Sequence, residues 1–448
     1  MYKIIHATRY LVKRRITYFA VLAVALCVFI VVVVMTVMTG LVTGFTQKNH
    51  SFVGDCIVGT ESLVGFAYYE DFADTLKQQD FVEAISPVIK SYVLVTPVGL
   101  EDNYGLEMMG IDPALHSMAT GFDQTLHHCE NKVTGAFAPA YDPNLLGFVI
   151  GIDRWLERDP KGRYLHGSSP IKAALAISGF PLTARGALAR AGVGSANTKT
   201  FYFSDTSQSG LAKVDSSMIY LPFDQAQLLC MAGALERANA IHVKFKPNVK
   251  LRAGCDEVAS LWQRFKEEKA GQSQAGLLEN VTVQSWKDYR RAFIAPMEKE
   301  QVMLTMMFAL VGITTVFIVF VVFYMLISHK SKDIGILKSI GVSNANIMTL
   351  FLGFAFLVGL LGSCFGTFAG WLFLLKINGI EDWLFKHFEF QLWDRTIYAI
   401  GEIPNQVELK VLVVIVLSAI VACLAGALVP TWLAARLKPV ETLQVSQL

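Results

Sequence analysis

The chain has 448 residues, of which 53% are hydrophobic and 17% charged, against about 25% charged in ordinary soluble proteins, so it reads as a membrane protein. A formal net charge of +2 gives no footing for a nucleic-acid partner. The length leaves room for several membrane spans and about 250 residues of folded domain outside them.

A basic start (Lys3, Arg9, Lys13, Arg14, Arg15) fills residues 1–16 and precedes an apolar run assigned to a first transmembrane helix over 17–44. Its β-branched stretch Val28 to Val34 favours strand, but strands usually stop by about ten residues and this run is more than twice that. The apolar core is too long for a signal peptide, no small-x-small cleavage site follows, and Cys27 follows Leu26 rather than a small residue. The helix is therefore expected to be retained.

Residues 45–298 are polar enough to lie in water and predict an α+β domain. Short β-type runs occur at Cys56–Gly59, Ser91–Val95, Met218–Leu221 and Ile241–Phe245, and helical patterns at Tyr69–Gln79, Asp224–Met231 and Gly254–Lys269. Asp112-Pro113, Asp142-Pro143 and Asp159-Pro160-Lys161-Gly162 punctuate them as turns. The Gly-, Ser- and Ala-rich stretch 160–195 fits either a partner-contacting loop or a plain surface connection. Cys56, Cys129, Cys230 and Cys255 fall in this domain; one or two disulfides or free buried thiols are both compatible with them, and pairing cannot be read from spacing. Cys27, Cys364 and Cys423 lie in apolar runs as small packing residues.

Three further spans follow, at 299–328, 347–376 and 410–435, none with a charge inside its apolar core, which disfavours ion-coupled transport. Lys330, Lys332 and Lys338 in the connection 329–346, and Arg436 and Lys438 in the tail 436–448, join the basic start on one side of the membrane, the cytoplasmic one. The domain at 45–298 and the acidic loop 377–409 then lie on the opposite side. The expected fold class is an α-helical membrane protein with four transmembrane helices and a large α+β extracytoplasmic domain between the first and second.

No G-x-S-x-G, H-E-x-x-H or C-x-x-C occurs, so no catalytic residues, bound cofactor or metal site are assigned. Gly192 to Thr200 resembles a phosphate loop but lacks glycine directly before Lys199. His127-His128-Cys129 lacks the further ligands a metal needs. Asn280-Val281-Thr282 is a sequon, relevant only in a eukaryotic secretory route.

The informative segment is His329 to Ser343. Ile334, Leu337 and Ile340, with Ile336 beside them, predict the apolar face of a short helix that Gly341 ends, and Ser343 caps the next helix. An interfacial amphipathic helix and a docking element for a soluble ATPase both fit. Gly359, Gly362, Gly366 and Gly370 predict close helix packing, by default against Ala422, Ala425 and Gly426 of the fourth span.

The order of one helix, a large external domain, three helices and a tail resembles the MacB/FtsX-like (type VII) ABC permeases. Lys332 to Ser343 is similar to that family's cytoplasmic K-x-D/E-I-x-x-L-K-x-x-G-A-S motif, with Val342 in place of Ala. Pro430 to Leu443 is similar to its closing P-x-W-x-A-A-R-x-x-P-x-E-A-L, with Thr442 in place of Ala. Ala7 to Arg15, Met35 to Leu41 and Ile397 to Pro404 resemble segments of the lipoprotein-releasing LolC/LolE branch, and Ser217 to Leu228 anchors the resemblance in the external domain.

The resemblance implies a bacterial inner-membrane permease subunit that is not itself an enzyme. ATP and Mg would be held by a separate cytoplasmic ABC ATPase, and a second copy or related subunit would complete the complex. Lys332, Asp333, Ile334, Gly335, Leu337, Lys338, Gly341 and Ser343 would couple to the ATPase. A lipoprotein would enter laterally from membrane lipid between helices one and two, past Phe29, Val33, Met38, Met303 and Met307, with the Met306 and Phe308 cluster beside them, on its way to a periplasmic carrier. An FtsX-like regulator of cell-wall hydrolysis and a MacB-like exporter subunit are the alternatives within the family.

Overall fold

A computed structural model describes residues 15–128, 133–159, 163–165, 172–189, 195–233, 235–390 and 402–436. Outside the described residues lie Cys129, most of the basic start, Gly192 to Gly194, Ile397 to Gly401 and the end of the closing motif from Leu437. The chain divides into two units: one holds the described residues of 15–43, 296–390 and 402–436, the other those of 44–295.

Among the described residues, four helices are long and apolar enough to cross a membrane: α1 (Arg15–Val53), α9 (Arg291–His329), α11 (Asn344–Phe388) and α12 (Leu409–Arg436). All four overrun the sequence-derived limits, the last by one residue at each end. α11 continues to Phe388 through residues assigned to the acidic loop, because Ile377 and Glu381 keep a buried helical stripe going. It stops where Glu389 turns left-handed at φ 52° and donates its N–H to Phe385.

The other unit is an α+β domain with one nine-stranded sheet. Its strands are β1 (Cys56–Gly59), β3 (Val82–Pro97), β4 (Tyr104–Ile111), β5 (Gly147–Gly151), β6 (Ala174–Gly179), β7 (Asn197–Ser207), β8 (Met218–Pro222), β10 (Ala240–Phe245) and β11 (Thr282–Ser285). The two-residue strands β2 (Phe66–Ala67) and β9 (Arg237–Ala238) pair separately.

β3 serves two layers. Its first half pairs with β10, which continues through β1 to β11, all antiparallel. Its second half pairs with β4 and β6, and the β4–β8, β8–β5, β5–β7 and β7–β6 pairs complete a ring of six strands. Ring closure leaves those six strands without a free edge. Each sends two alternate residues into one core: Val93 and Val95, Leu106 and Met108, Phe148 and Ile150, Leu175 and Ile177, Phe201 and Phe203, Ile219 and Leu221.

The remaining helices are α2 (Tyr69–Lys77), α3 (Pro113–Ala119), α4 (Ile152–Trp155), α5 (Ala212–Ser217), α6 (Phe223–Cys230), α7 (Leu251–Lys269), α8 (Trp286–Tyr289) and α10 (Ser331–Ser339). α6 seats on the barrel because Gly110 has no Cβ; one would lie 2.3 Å from that of Ala226. α2 and α7 cover the open layer with Phe72, Leu76, Val258, Trp262 and Phe265 over Cys56, Val58, Ile241 and Val243. Phe72 meets Trp262 edge to face at 4.7 Å.

Candidate functional site

The connection between α9 and α11 folds as the helix α10. Lys330 pairs with Asp333 across its first turn. At its end the Gly341 N–H donates to Lys338 at 3.0 Å and the Val342 N–H to Leu337 at 3.1 Å, the paired closure of a Schellman cap. That closure needs a left-handed residue, and Gly341 supplies it at φ 95°. Ser343 then opens α11, its Oγ accepting from the Asn346 N–H at 3.4 Å.

The apolar residues of α10 do not share one face. Ile334 and Gly335 are buried, Leu337 is half-buried, and Ile336 and Ile340 are exposed at 49% and 76%. Lys332, Ile336, Ser339 and Ile340 fall at helical spacing on the outward face. The sequence placed Ile334, Leu337 and Ile340 together; the short helix turns Ile340, at its C-cap, away from them. Lys338 reaches across to donate to the Ala435 carbonyl at 2.7 Å, tying α10 to the last turn of α12.

The glycines of α11 act chiefly on α1. A Cβ on Gly362 would stand 2.8 Å from that of Val24, one on Gly366 2.4 Å from the Ala25 carbonyl oxygen, and one on Gly370 3.1 Å from Val32. The facing stripe of α1, namely Ala20, Val24, Val28, Val32 and Thr36, is buried at four-residue spacing. Only Gly359 faces α12, beside Cys423 and Ile420. Gly426 instead meets Val316 and Val319 of α9, Ala425 is exposed, and Ala422 lines a cavity, so the expected packing of all four glycines on the fourth span is corrected.

That cavity, of about 310 Å³, is walled by α1, α9 and α12. α1 contributes Val24, Cys27, Val28, Val31 and Met35, α9 contributes Phe308 and Gly312, and α12 contributes Ile415 and Ala419 among others. Its hydroxyls are already engaged: Thr305 bonds Gln301, Thr315 bonds Val311 and Ser418 bonds Ile415, each to the carbonyl a turn earlier. The space is thus effectively apolar.

Phe29, Val33, Met38, Met303 and Met307 do not line it. Phe29 packs edge-on against Phe373 of α11 at 5.7 Å, and Met303, Met306 and Met307 are exposed. At about 100° per residue, Phe29 and Val33 point away from the Val24–Val28–Val31–Met35 face. Phe308 alone of the expected cluster lines the cavity. The small residues Gly312, Ala419 and Ala422 were the sequence signal for it, masked by their usual role in packing.

Among the described residues of the external unit no group of His, Cys, Asp and Glu could hold a metal. The His127 and His128 N–H groups donate to the Asp205 carboxylate. Asp215 is buried and accepts from the Ser209 N–H and hydroxyl at 2.7 and 2.6 Å and from the Gly210 N–H at 2.9 Å. Burial outweighs these bonds and raises its carboxyl to about 6.

Residues 305–439, which include α10 and most of the cavity wall, match the FtsX-like permease C-terminal family. The chain carries this permease domain in that segment. It is 32% identical over 120 residues to the lipoprotein-releasing system transmembrane protein LolC of Xylella fastidiosa strain 9a5c, covering 27% of this chain and 29% of LolC. It is 28% identical over 118 residues, 26% of this chain and 29% of the other, to an uncharacterized membrane protein of Buchnera aphidicola subsp. Schizaphis graminum. The matches span under a third of the length of these curated relatives. Two solved structures are similar to this chain at 12% identity: the periplasmic region of MacB from Actinobacillus actinomycetemcomitans (TM-score 0.33; 55% of this chain, 95% of that one) and the extracellular domain of the noncanonic ABC-type transporter YknZ from Gram-positive bacteria (TM-score 0.29; 52% and 98%).

Proposed function

We propose that the chain is the permease subunit of an ABC machine in the bacterial inner membrane that releases lipoproteins. The termini and α10 face the cytoplasm, and the α+β unit lies in the periplasm. The observation that carries the reading is α10 itself: a capped helix inside the FtsX-like segment, tied to α12 through Lys338, with Lys332, Ile336 and Ile340 facing outward.

A cytoplasmic ATPase, which holds ATP and Mg, docks on that outward face. Lys332, Asp333, Ile334, Gly335, Leu337, Lys338, Gly341 and Ser343 divide the work. Lys332 contacts the ATPase together with Ile336 and Ile340, while Ile334, Gly335 and Leu337 seat the helix. Asp333, Gly341 and Ser343 fix its ends, and Lys338 carries its motion to α12. A second copy or related permease completes the complex.

The apolar cavity between α1, α9 and α12 suits the acyl chains of a lipid-anchored protein arriving from membrane lipid, since each buried methylene contributes about 0.8 kcal/mol and no hydroxyl is left wanting a partner. The similarity to a lipoprotein-releasing system protein supports lipoproteins as substrate; the acceptor in this reading is a periplasmic carrier.

Purification of the tagged complex in mild detergent tests this. An ATPase and acylated proteins are expected to co-purify, with ATPase retention falling at least about tenfold in Ile336→Asp/Ile340→Asp, since placing two charges in an apolar contact exceeds 1.4 kcal/mol. Absence of any ATPase refutes the reading. An ATPase retained with a cell-wall hydrolase replaces it with the FtsX-like regulator, and one retained with an outer-membrane duct with the MacB-like exporter.

A further inference from the structure

We propose that Cys56 and Cys255 form a reversible disulfide that staples β1, the first strand after α1, to α7. Cys56 is fully buried in β1, between Val243 of β10 and Ser285 of β11. Cys56 and Val58 are alternate residues, so both point to the sheet face that α7 covers. Cys255 stands on α7, half-buried, against that same cluster. The approach is set one residue earlier, where Gly254 has no Cβ; one would lie 2.6 Å from the Phe245 ring, so the helix descends onto β10 beside Cys56. The two thiols are thereby within hydrogen-bonding reach of each other.

Their inequality sets the order of chemistry. The bond to Cys255, and then burial, push the Cys56 thiol up, while accepting that bond lowers Cys255. Cys255 is also the more exposed, so its thiolate attacks first. It displaces one thiolate from the disulfide of an oxidant, either a thiol–disulfide oxidoreductase or oxidised glutathione. Cys56 gives its proton to solvent and attacks the Cys255 sulfur of the mixed disulfide, expelling the oxidant's second thiolate. The two protein thiols lose two electrons, and the oxidant's disulfide gains them. Cys230 takes no part, because it belongs to the separate core inside the barrel.

The proposal rests on the periplasmic placement of this unit, since a cytoplasmic disulfide would be reduced. The test uses the full-length protein, taken from cells quenched in acid and blocked with N-ethylmaleimide before reduction and mass spectrometry. A peptide bridged through Cys56 and Cys255 is expected in most molecules, absent in Cys56→Ser and Cys255→Ser and unchanged in Cys230→Ser. The half-exposed Cys255→Ser guards against a folding defect in the fully buried variant. In parallel, purified wild-type protein is equilibrated with oxidised glutathione. Bridging only there supports the pairing and overturns the periplasmic placement. Free Cys56 and Cys255 thiols even in oxidised glutathione overturn the pairing itself.

Discussion

Gly366 is where the membrane unit tolerates an added methyl least. In Gly366→Ala the new Cβ would sit 2.4 Å from the Ala25 carbonyl oxygen and 2.8 Å from the Val28 Cβ, and a backbone carbonyl cannot rotate aside. Real contacts need roughly 3.2 Å or more, so α1 and α11 must part by about 0.8 Å along a seam packed to interior density. Overpacking of this kind costs about 1–3 kcal/mol, offset by about 1 kcal/mol of better helix propensity, leaving a net loss of up to about 2 kcal/mol. Gly379→Ala, on the same helix with nothing within 4 Å, keeps only the propensity gain. Gly370→Ala meets the flexible end of Val32 at 3.1 Å and falls between them. Titration of detergent-solubilised protein with sodium dodecyl sulfate, followed by tryptophan fluorescence, would rank them. Equal midpoints for Gly366→Ala and Gly379→Ala would refute the account of the seam.

Three other outcomes are expected. Asp215 has a folded pKa of about 6, above its unfolded value of about 3.8, so the folded state binds the extra proton. Its contribution is full below pH 3.8 and is lost as pH rises through 6, by about 3 kcal/mol in all; thermal melting of wild type minus Asp215→Asn should show that slope and be flat above pH 7. Gly341→Val forces a β-branched residue to φ 95° at a cost of about 1–3 kcal/mol; it should lower coupled ATPase turnover in proteoliposomes while leaving the melting of the external unit unchanged. Ala419→Phe puts a phenyl ring into the 310 Å³ cavity and should slow lipoprotein release from spheroplasts without loss of bound ATPase, whereas unchanged release would remove the cavity from the substrate path.

The membrane architecture was legible because a span announces itself by composition: some twenty apolar residues must satisfy their backbone internally whatever surrounds them. The end of α10 was equally local, since a left-handed closure asks for Gly341 and an N-cap for Ser343, both within three residues. In the external unit the strands at Cys56, Ser91, Met218 and Ile241 could be read, but β4 to β7 could not. β7, with Thr198, Lys199 and Thr200 on its outer half, gains its order from closing the barrel against β5 and β6, pairings distant in the chain.

What the sequence determined by itself were therefore the features set within one continuous segment: four spans, the cap at each end of the Gly341–Ser343 junction, the short helix between the second and third, and a glycine ridge awaiting a partner. Which partner each face meets was decided only in three dimensions. Three of the four ridge glycines found α1 rather than α12, Ile340 turned outward while Ile334 turned in, Phe29 went to α11, and Cys56 met Cys255 across a strand–helix contact. Helical periodicity fixes which residues share a face, but the rotation of that face about its axis is chosen by the fit of neighbouring surfaces, and that choice is made by the whole bundle or sheet at once.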